Sequence, residues 1–478
     1  MTTASPIRTR IAPSPTGPCH LGTARTALFN YLFAKRNGGT FIFRLEDTDR
    51  ERSTPEFEQE LYESLDWLGL RWDEGPDAGG DYGPYRQSER ADRHRAAIAK
   101  LVESAHAYRC FCTAEALEAE RQRQLKNKEL VHYAGTCRNL SAGEIKTNLA
   151  AGKPYTVRFK MPDETFTFTD LIRGEVTVEG TEIGDFVIAK PDGSPIFHLS
   201  NVVDDAEMAI THIIRGEDHL PNVPRHIALF HALGHEPPVY AHLPLILNPD
   251  GSKMSKRKTI EGLEPYVRVF REKGYLPEAL VNYLALLGWS PGDDREQLTL
   301  SQLTEVFSLE KVNKSGARFD LRKLDDLNGQ YIRALSPEQF VRELEVRLPE
   351  TDSNYLKGIA RLVRERLKRF DEAKAYTGFF FVPKGHTAKG AATMIEEVLK
   401  WLEVLPESEF TAKVLEEKMR ATAEQEPYNW KARHLFMAVR VALTGSEATP
   451  PLFETMEVLG KERCVRWLRA ALENRLQV

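Results

Sequence analysis

The sequence predicts an α/β fold: a Rossmann-like domain on a parallel sheet, interrupted by an α+β insertion and followed by an all-α C-terminal region. Three observations carry this. Residues 7–47 read strand, loop, helix, strand. From about Cys110 to Gly193 the chain becomes β-rich and is broken by frequent turns. From about Leu263 onward helical patterns dominate.

Each element follows from its residues. "IRTRIA" (7–12) is a short strand, and "PSPTGPCHLGT" (13–23) is a loop broken by Pro13, Pro15, Gly17 and Pro18. Ala24, Ala27, Leu28, Tyr31 and Leu32 recur at the helical period, and Gly38 and Gly39 close it. "TFIFRLED" (40–47) is a β-rich run ending in acid, which completes a parallel βαβ unit. In the middle, "YTVRFKMPDETFTFTDLIRGEVTVEG" alternates strand and turn. "THIIRGEDHL" and "PPVYAHLPLILNPDG" then return to a short apolar strand followed by a polar loop. Further on, "YLKGIARLVRERLKRF" (355–370) places Leu356, Ile359, Ala360, Val363, Leu367 and Phe370 on one face of a single predicted helix, with its cations largely elsewhere. No internal repeat or long low-complexity segment interrupts the 478 residues.

Composition narrows the class. Apolar residues make up 41% and charged residues 28%, as in an ordinary globular protein. A net charge of −5 argues against a generic polyanion binder and leaves room for local basic patches. No apolar run approaches the ~18 residues of a membrane span, and "MTTASPIRTRIAPSP" lacks the apolar centre of a signal peptide. Five cysteines, an odd number, do not form a disulfide framework in so long a chain. The expectation is a cytoplasmic protein with reduced thiols and no membrane partner.

Two loops carry the chemistry. "NPDGSKMSKRKT" (248–259) turns at Pro-Asp-Gly and then offers Lys253, Lys256, Arg257 and Lys258, too charged to bury and too polar to anchor. Alone it would be a solvated, mobile surface run. "PCHLGT" (18–23) puts His20 at the mouth of a helix, with Gly22 permitting close backbone approach and the helix N-terminus offering free N–H groups to an anion. Ligands of open parallel sheets sit at the carboxyl ends of strands, where this loop lies. No Gly-x-x-x-x-Gly-Lys-Ser/Thr loop is present.

A His-x-Gly loop after the first strand and a Lys-Met-Ser-Lys-Arg loop after a late one resemble the class I aminoacyl-tRNA synthetases. The words "RIAPSPTG", "HLGTARTALFNYLFAKRNGGTFIFRLEDTDRER", "GPYRQSER", "FHLSNVVDD", "IIRGEDHL", "SKMSKRK" and "LPEALVNYLALLGW" are similar to glutamyl-tRNA synthetases of the bacterial type, from Arg10 into the C-terminal region. That resemblance implies ATP-dependent ligation of L-glutamate to tRNA(Glu) through a glutamyl-adenylate, with Mg²⁺ on the phosphates and a monomeric enzyme. It also implies six segments: the catalytic domain at 1–108 and 197–262, an acceptor-end-binding insertion at 109–196, a stem-contact region at 263–332, and anticodon-binding helical domains at 333–385 and 386–478.

Residue by residue, the resemblance assigns ATP to His20, Gly22, Thr23, Lys253, Ser255, Lys256 and Arg257, with His20, Lys253 and Lys256 stabilising charge during reaction. It assigns glutamate to Arg10, Ala12, Ser14, Glu46, Phe197, Asn201 and Arg215. Glu46 suits the α-ammonium, and Arg10 and Arg215 suit the side-chain carboxylate. Phe197 stands where Tyr is common, so one polar contact to substrate is missing or supplied by water. Arg361, Arg364 and Lys368 are candidate tRNA contacts on the basic side of the 355–370 helix, whose other reading is a solvated amphipathic surface.

Some relatives hold zinc with three cysteines and a histidine two residues after the third. Here Cys110, Cys112 and Cys137 are present, but Asn139 takes the histidine's place, with His132 as the one nearby substitute. The expectation is therefore no resident zinc. A truncated paralogue is disfavoured by the helical residues after "NGQYIR", and a non-catalytic RNA-binding relative by the retained His20, Lys253, Lys256 and Arg215. A form that also charges tRNA(Gln) stays open, since that depends on a few anticodon-region side chains.

Overall fold

The computed structural model describes residues 6–49, 51–254, 260 and 262–473. It divides into two compact units, one running to Val269 and including Leu280–Leu321, the other formed by Phe270–Ala279 and the chain from Arg322 onward.

The first unit opens with the βαβ pattern. Strand β1 (Arg8–Ile11), helix α1 (Leu21–Arg36) and strand β2 (Thr40–Phe43) follow in order, and β1 pairs with β2 in parallel, Arg8 opposite Thr40 and Ile11 opposite Phe43. All four residues of β1 are buried, as parallel strands covered on both faces require. The turn after α1 needs its glycines: Gly38 has φ +63°, and a Cβ on Gly39 would fall 2.3 Å from the Ile7 carbonyl oxygen. Helices α2 (Pro55–Trp67) and α3 (Ala91–Glu103) follow.

The β-rich middle comprises β3 (Ala107–Cys110), α4 (Ala114–Asn127), α5 (Ala142–Ala150), β4 (Thr156–Phe159), β5 (Thr165–Asp170), β6 (Gly174–Glu179), α6 (Gly180–Ile183) and β7 (Phe186–Ala189). Strands β3, β4 and β7 form one antiparallel sheet, and β5 and β6 form a hairpin. The chain then returns with α7 (Phe197–Glu207), β8 (His212–Gly216), α8 (Val223–Leu233) and β9 (Val239–Leu243). β8 and β9 are parallel, and the Thr211 N–H donates to the Arg8 carbonyl at 3.0 Å, setting β8 beside β1. The last residue of β5, Asp170, pairs in parallel with Tyr240 of β9. The middle segment is therefore stitched to the parallel strands, and Ile42, Phe159, Ile188, Leu199, Ile213 and Phe230 share one buried apolar cluster.

The second unit is helical. Leu356, Ile359, Ala360, Val363, Leu367 and Phe370 are all buried in its core, as their spacing predicts. The single helix predicted over 355–370 is not formed. It runs Ser353–Val363, gives way to a 3-10 turn at Arg364–Arg366, and is extended at Leu367. Competing partners explain the break. The Arg364 guanidinium donates to the Arg333 and Leu335 carbonyls, Asn328 Nδ2 donates to the Lys368 carbonyl, and the Phe370 N–H donates to the Gly274 carbonyl. These bonds satisfy polar groups that would otherwise need helical partners. Among the described residues, no helix is long and apolar enough to cross a membrane.

Candidate active site

A cleft of about 610 Å³ opens at the carboxyl ends of β1 and β8. It is lined by all seven residues expected to meet an amino acid, namely Arg10, Ala12, Ser14, Glu46, Phe197, Asn201 and Arg215, and by His20, Gly22, Thr23 and Lys253. Ser255, Lys256 and Arg257 lie outside the described residues.

His20 is the N-cap of α1. Its Nδ1 accepts from the Gly22 N–H at 3.0 Å, so Nε2 carries the proton of the neutral ring. A Cβ at Gly22 would approach that Nδ1 to 3.3 Å, so glycine keeps the cap close. The Lys253 end of the cleft is a pinned turn. The Asn248 N–H donates to the Ser252 carbonyl at 2.8 Å, Asn248 Nδ2 donates to Ser252 Oγ and the Lys253 carbonyl, and Gly251 has φ +84°. These bonds close the turn over 248–254, and 255–259 lie outside the described residues. Lys253 Nζ is exposed and sits 3.2 Å from Asp218 Oδ2.

The two candidate carboxylate readers differ. Arg10 is neutralised within the protein: its Nε and Nη2 donate to the two oxygens of Asp205 at 3.0 and 3.2 Å, and Arg44 pairs with the same carboxylate. Arg215 is buried and has only neutral acceptors. Its Nε donates to His242 Nε2 at 3.2 Å and its Nη2 to the His219 carbonyl at 3.4 Å, while Nη1 is buried with no protein partner. Burial, and then the nearby Arg10, lower the Arg215 pKa to about 10. A buried guanidinium in this state lacks a counter-charge.

Glu46 Oε1 accepts from Asn201 Nδ2 at 2.9 Å and from Arg44 at 3.4 Å, and burial pushes this carboxyl up against the pull of Arg44 and Arg10. Phe197 completes the wall, with its ring near those of His198, His219 and His226. His198 and His219 are each lowered to about 4, first by burial and then by neighbouring arginines, so this wall adds no cation at neutral pH. Arg44, Asp205, His242 and Asp170 were not found from sequence. Their roles come from partners far apart in the chain, and Arg44 and Asp205 are separated by 161 positions.

Elsewhere, one group of three metal-ligating side chains converges among the described residues. The Sγ atoms of Cys110, Cys112 and Cys137 lie within 4.8 Å of one another. Tyr133 Oη is 3.4 Å from Cys110 Sγ and 3.5 Å from Cys112 Sγ, and the Arg158 guanidinium lies 3.8 Å from the centre of the Tyr133 ring. His132, the expected substitute ligand, is outside the group; its Nδ1 contacts the Tyr133 carbonyl at 3.1 Å.

The three candidate tRNA contacts do not share one helical face. Arg361 is exposed on the Ser353–Val363 helix, and Lys368 is exposed but pairs with Asp326 at 2.6 Å. Arg364 is half-buried against the two carbonyls named above, where its guanidinium is structural. Arg364→Ala is expected to destabilise the second unit by about 1–3 kcal/mol by leaving two partly buried carbonyls without this donor. It should leave the salt dependence of RNA binding unchanged. Denaturant melts beside binding titrations at several salt concentrations check this, and a flattened salt slope with an unchanged melt would reverse the assignment.

Comparisons with known proteins agree with one another. A family model described as "tRNA synthetases class I (E and Q), catalytic domain" matches residues 6–326, and one described as "Anticodon binding domain" matches residues 337–472. The chain is 45% identical to "Glutamate--tRNA ligase 1" of Syntrophomonas wolfei, over 98% of this chain and 97% of that protein. It is 44% identical to "Glutamate--tRNA ligase" of Dehalococcoides mccartyi strain CBDB1, over 96% of each. A solved structure of a glutamate tRNA ligase from Elizabethkingia meningosepticum, in complex with its amino acid, superposes with a TM-score of 0.87 at 36% identity, covering 98% of this chain and 99% of that one.

Proposed function

Because the chain belongs to the glutamate–tRNA ligase family of class I synthetases, we propose that it ligates L-glutamate to tRNA(Glu) at the expense of ATP. The observation that carries this reading is Arg215, a buried guanidinium without a carboxylate partner, in a cleft shared with Glu46, His20 and Lys253. Glutamate brings the missing carboxylate on its side chain, and its α-ammonium meets Glu46. Arg10, already bonded to Asp205, shapes the pocket. The α-carboxylate then attacks the α-phosphorus of ATP, which enters with Mg²⁺ as part of the substrate, and pyrophosphate leaves. The terminal 2′-hydroxyl of the tRNA takes the acyl group from the adenylate and AMP is released. No covalent enzyme intermediate is needed: the protein positions the reactants and screens one anion from another. His20 Nε2–H and the Lys253 cation serve the phosphates, and Gly22 and Thr23 line their path; the family resemblance gives Ser255, Lys256 and Arg257, which lie outside the described residues, to the same ligand. The C-terminal helices, 333–385 and 386–478, meet the anticodon arm. The enzyme acts as a cytoplasmic monomer.

Charging purified tRNA(Glu) and tRNA(Gln) separately with labelled glutamate tests the reading. Glutamylation of tRNA(Glu) is expected, and failure to charge either would refute it. Glutamylation of both would identify the form that also charges tRNA(Gln). Lys256→Ala should lower the adenylation rate by about 10²–10³ with little change in ATP binding, because a preorganised cation acts mainly on the charge that develops in the transition state. Pre-steady-state adenylate formation measures this, and a rate within a few-fold of the parent removes Lys256 from the step.

The insertion's thiol group also has a use in this reading. A structural zinc takes four donors in a tetrahedron; Cys110, Cys112 and Cys137 supply three, and the Tyr133 hydroxyl beside them, which also accepts from the Cys137 N–H at 2.8 Å, is the nearest candidate for the fourth. Asn139 is a poor zinc ligand, so the fourth place falls to Tyr133 Oη, 3.4 and 3.5 Å from Cys110 and Cys112 Sγ. Elemental analysis of protein purified without chelator is expected to find about one zinc per chain, lost in Cys112→Ser. A zinc-free parent would make these cysteines a packed thiol group.

A further inference from the structure

We infer that Asp170 and His242 are positioning residues for glutamate selection: a carboxylate in the insertion fixes the tautomer of His242, which in turn holds Arg215 toward the substrate. The inference rests on Arg215 reading the side-chain carboxylate, as proposed above.

The geometry dictates the proton placement. Arg215 Nε is always a donor, so the His242 Nε2 that it meets at 3.2 Å must be an acceptor. A neutral imidazole with a lone pair on Nε2 carries its proton on Nδ1. That atom lies 2.6 Å from Asp170 Oδ2, which accepts it. Both side chains are fully buried, so water does not offer a substitute. Burial holds the His242 pKa below its ordinary value, against the pull of Asp170, which keeps the ring in the neutral form the arrangement needs. The ring is further fixed by stacking at 16° on Tyr240, with centroids 6.1 Å apart.

Asp170 is itself immobile. Its Oδ1 accepts from the N–H groups of Ile172, Arg173 and His242 at 3.0, 2.8 and 3.2 Å. One oxygen therefore holds the end of the β5 strand and the other holds the imidazole. With Nε tied to His242 and one Nη2–H to the His219 carbonyl, the donors of Arg215 left for substrate are Nη1 and the second Nη2–H. If the ring presented N–H at Nε2 instead, two donors would oppose each other and Arg215 would turn or lose its anchor.

Asp170→Asn is the test. Asparagine keeps an oxygen for the three backbone bonds but presents an amide N–H₂ to His242 Nδ1, which forces the proton to Nε2. The KM for glutamate should rise roughly ten- to hundred-fold, the cost of an opposed buried donor. The KM for ATP should stay within about two-fold, and the preference for glutamate over glutamine should narrow. Adding His242→Gln gives Arg215 an amide oxygen that needs no tautomer. The double variant should recover most of the loss, which a merely structural role of Asp170 would not allow. Aminoacylation of tRNA(Glu) at saturating tRNA supplies the constants, with thermal melts showing that each variant is folded.

Three outcomes overturn the inference: an unchanged glutamate KM and selectivity in Asp170→Asn, parallel rises in both KM values, or a folded double variant that shows no recovery. Arg215→Gln, assayed beside them, separates the two levels. If it too leaves glutamate use unchanged, the reading of Arg215 has failed. If it abolishes glutamate use while Asp170→Asn does nothing, only the positioning role has.

Discussion

Arg215→Gln is expected to lower kcat/KM for glutamate by on the order of 10²–10³, because a substrate carboxylate would then be buried opposite an amide instead of a guanidinium. The preference over glutamine should shrink as well. In the parent, a glutamine side chain leaves the Arg215 charge uncompensated, and rejection comes from that penalty as much as from attraction to glutamate. The variant removes the charge and with it the penalty. Competition assays with the two amino acids measure the ratio directly. An unchanged ratio would mean that the carboxylate is read by another group, with Arg10 the first to examine. Arg10→Gln makes a useful contrast, since Arg10 already bonds Asp205 through two nitrogens. Its loss should act through the shape and stability of the pocket more than through selectivity.

The second large effect is expected at Asp205. This buried carboxylate is bound by Arg10 and Arg44, which are also buried. Asp205→Asn leaves two guanidinium groups sharing a neutral amide, and removing one partner from a buried ionic group typically costs about 3–5 kcal/mol. Burial raises the Asp205 pKa, but Arg10 and Arg44 outweigh it and hold the carboxyl below its ordinary range. The stabilisation is therefore present above the unfolded-state pKa of about 4 and is lost as pH falls through the lower folded-state value. Denaturant melts of parent and variant at neutral and acidic pH should converge at the acid end. A gap that persists at low pH would mean that the asparagine damages packing and not charge balance.

The first βαβ unit, and the meeting of His20 and Lys253 in one cleft, were legible in the sequence because their information is local. Helical period, glycine stops and the His-x-Gly and Lys-Met-Ser-Lys-Arg words all lie within short windows. The charged pairing inside the cleft was only half legible. Arg10 and Arg215 both read as carboxylate partners, but the sequence could not tell which was already neutralised. That depends on Asp205, 195 positions from Arg10, and on His242, 27 positions from Arg215. The over-long helix at 355–370 errs for a related reason. Periodicity registers which side chains are apolar, and Leu367 and Phe370 are indeed buried. It does not register that Arg364 binds carbonyls 31 and 29 positions away, or that Asn328 takes the Lys368 carbonyl.

The pairing of β5 with β9 bears on how this chain can be cut and rejoined. On paper, residues 109–196 resemble a cassette that could be excised to leave a minimal adenylate-forming fragment. Helices α4 and α5 would tolerate this: α4 buries only Gln124 and α5 buries nothing. The hairpin would not, because its end lies against Tyr240 and carries the carboxylate that holds His242. A functional truncation must therefore be made by pruning the outer helices while leaving 165–179 in place. The seam that matters to an engineer runs through the middle of the insertion, not along either of its ends.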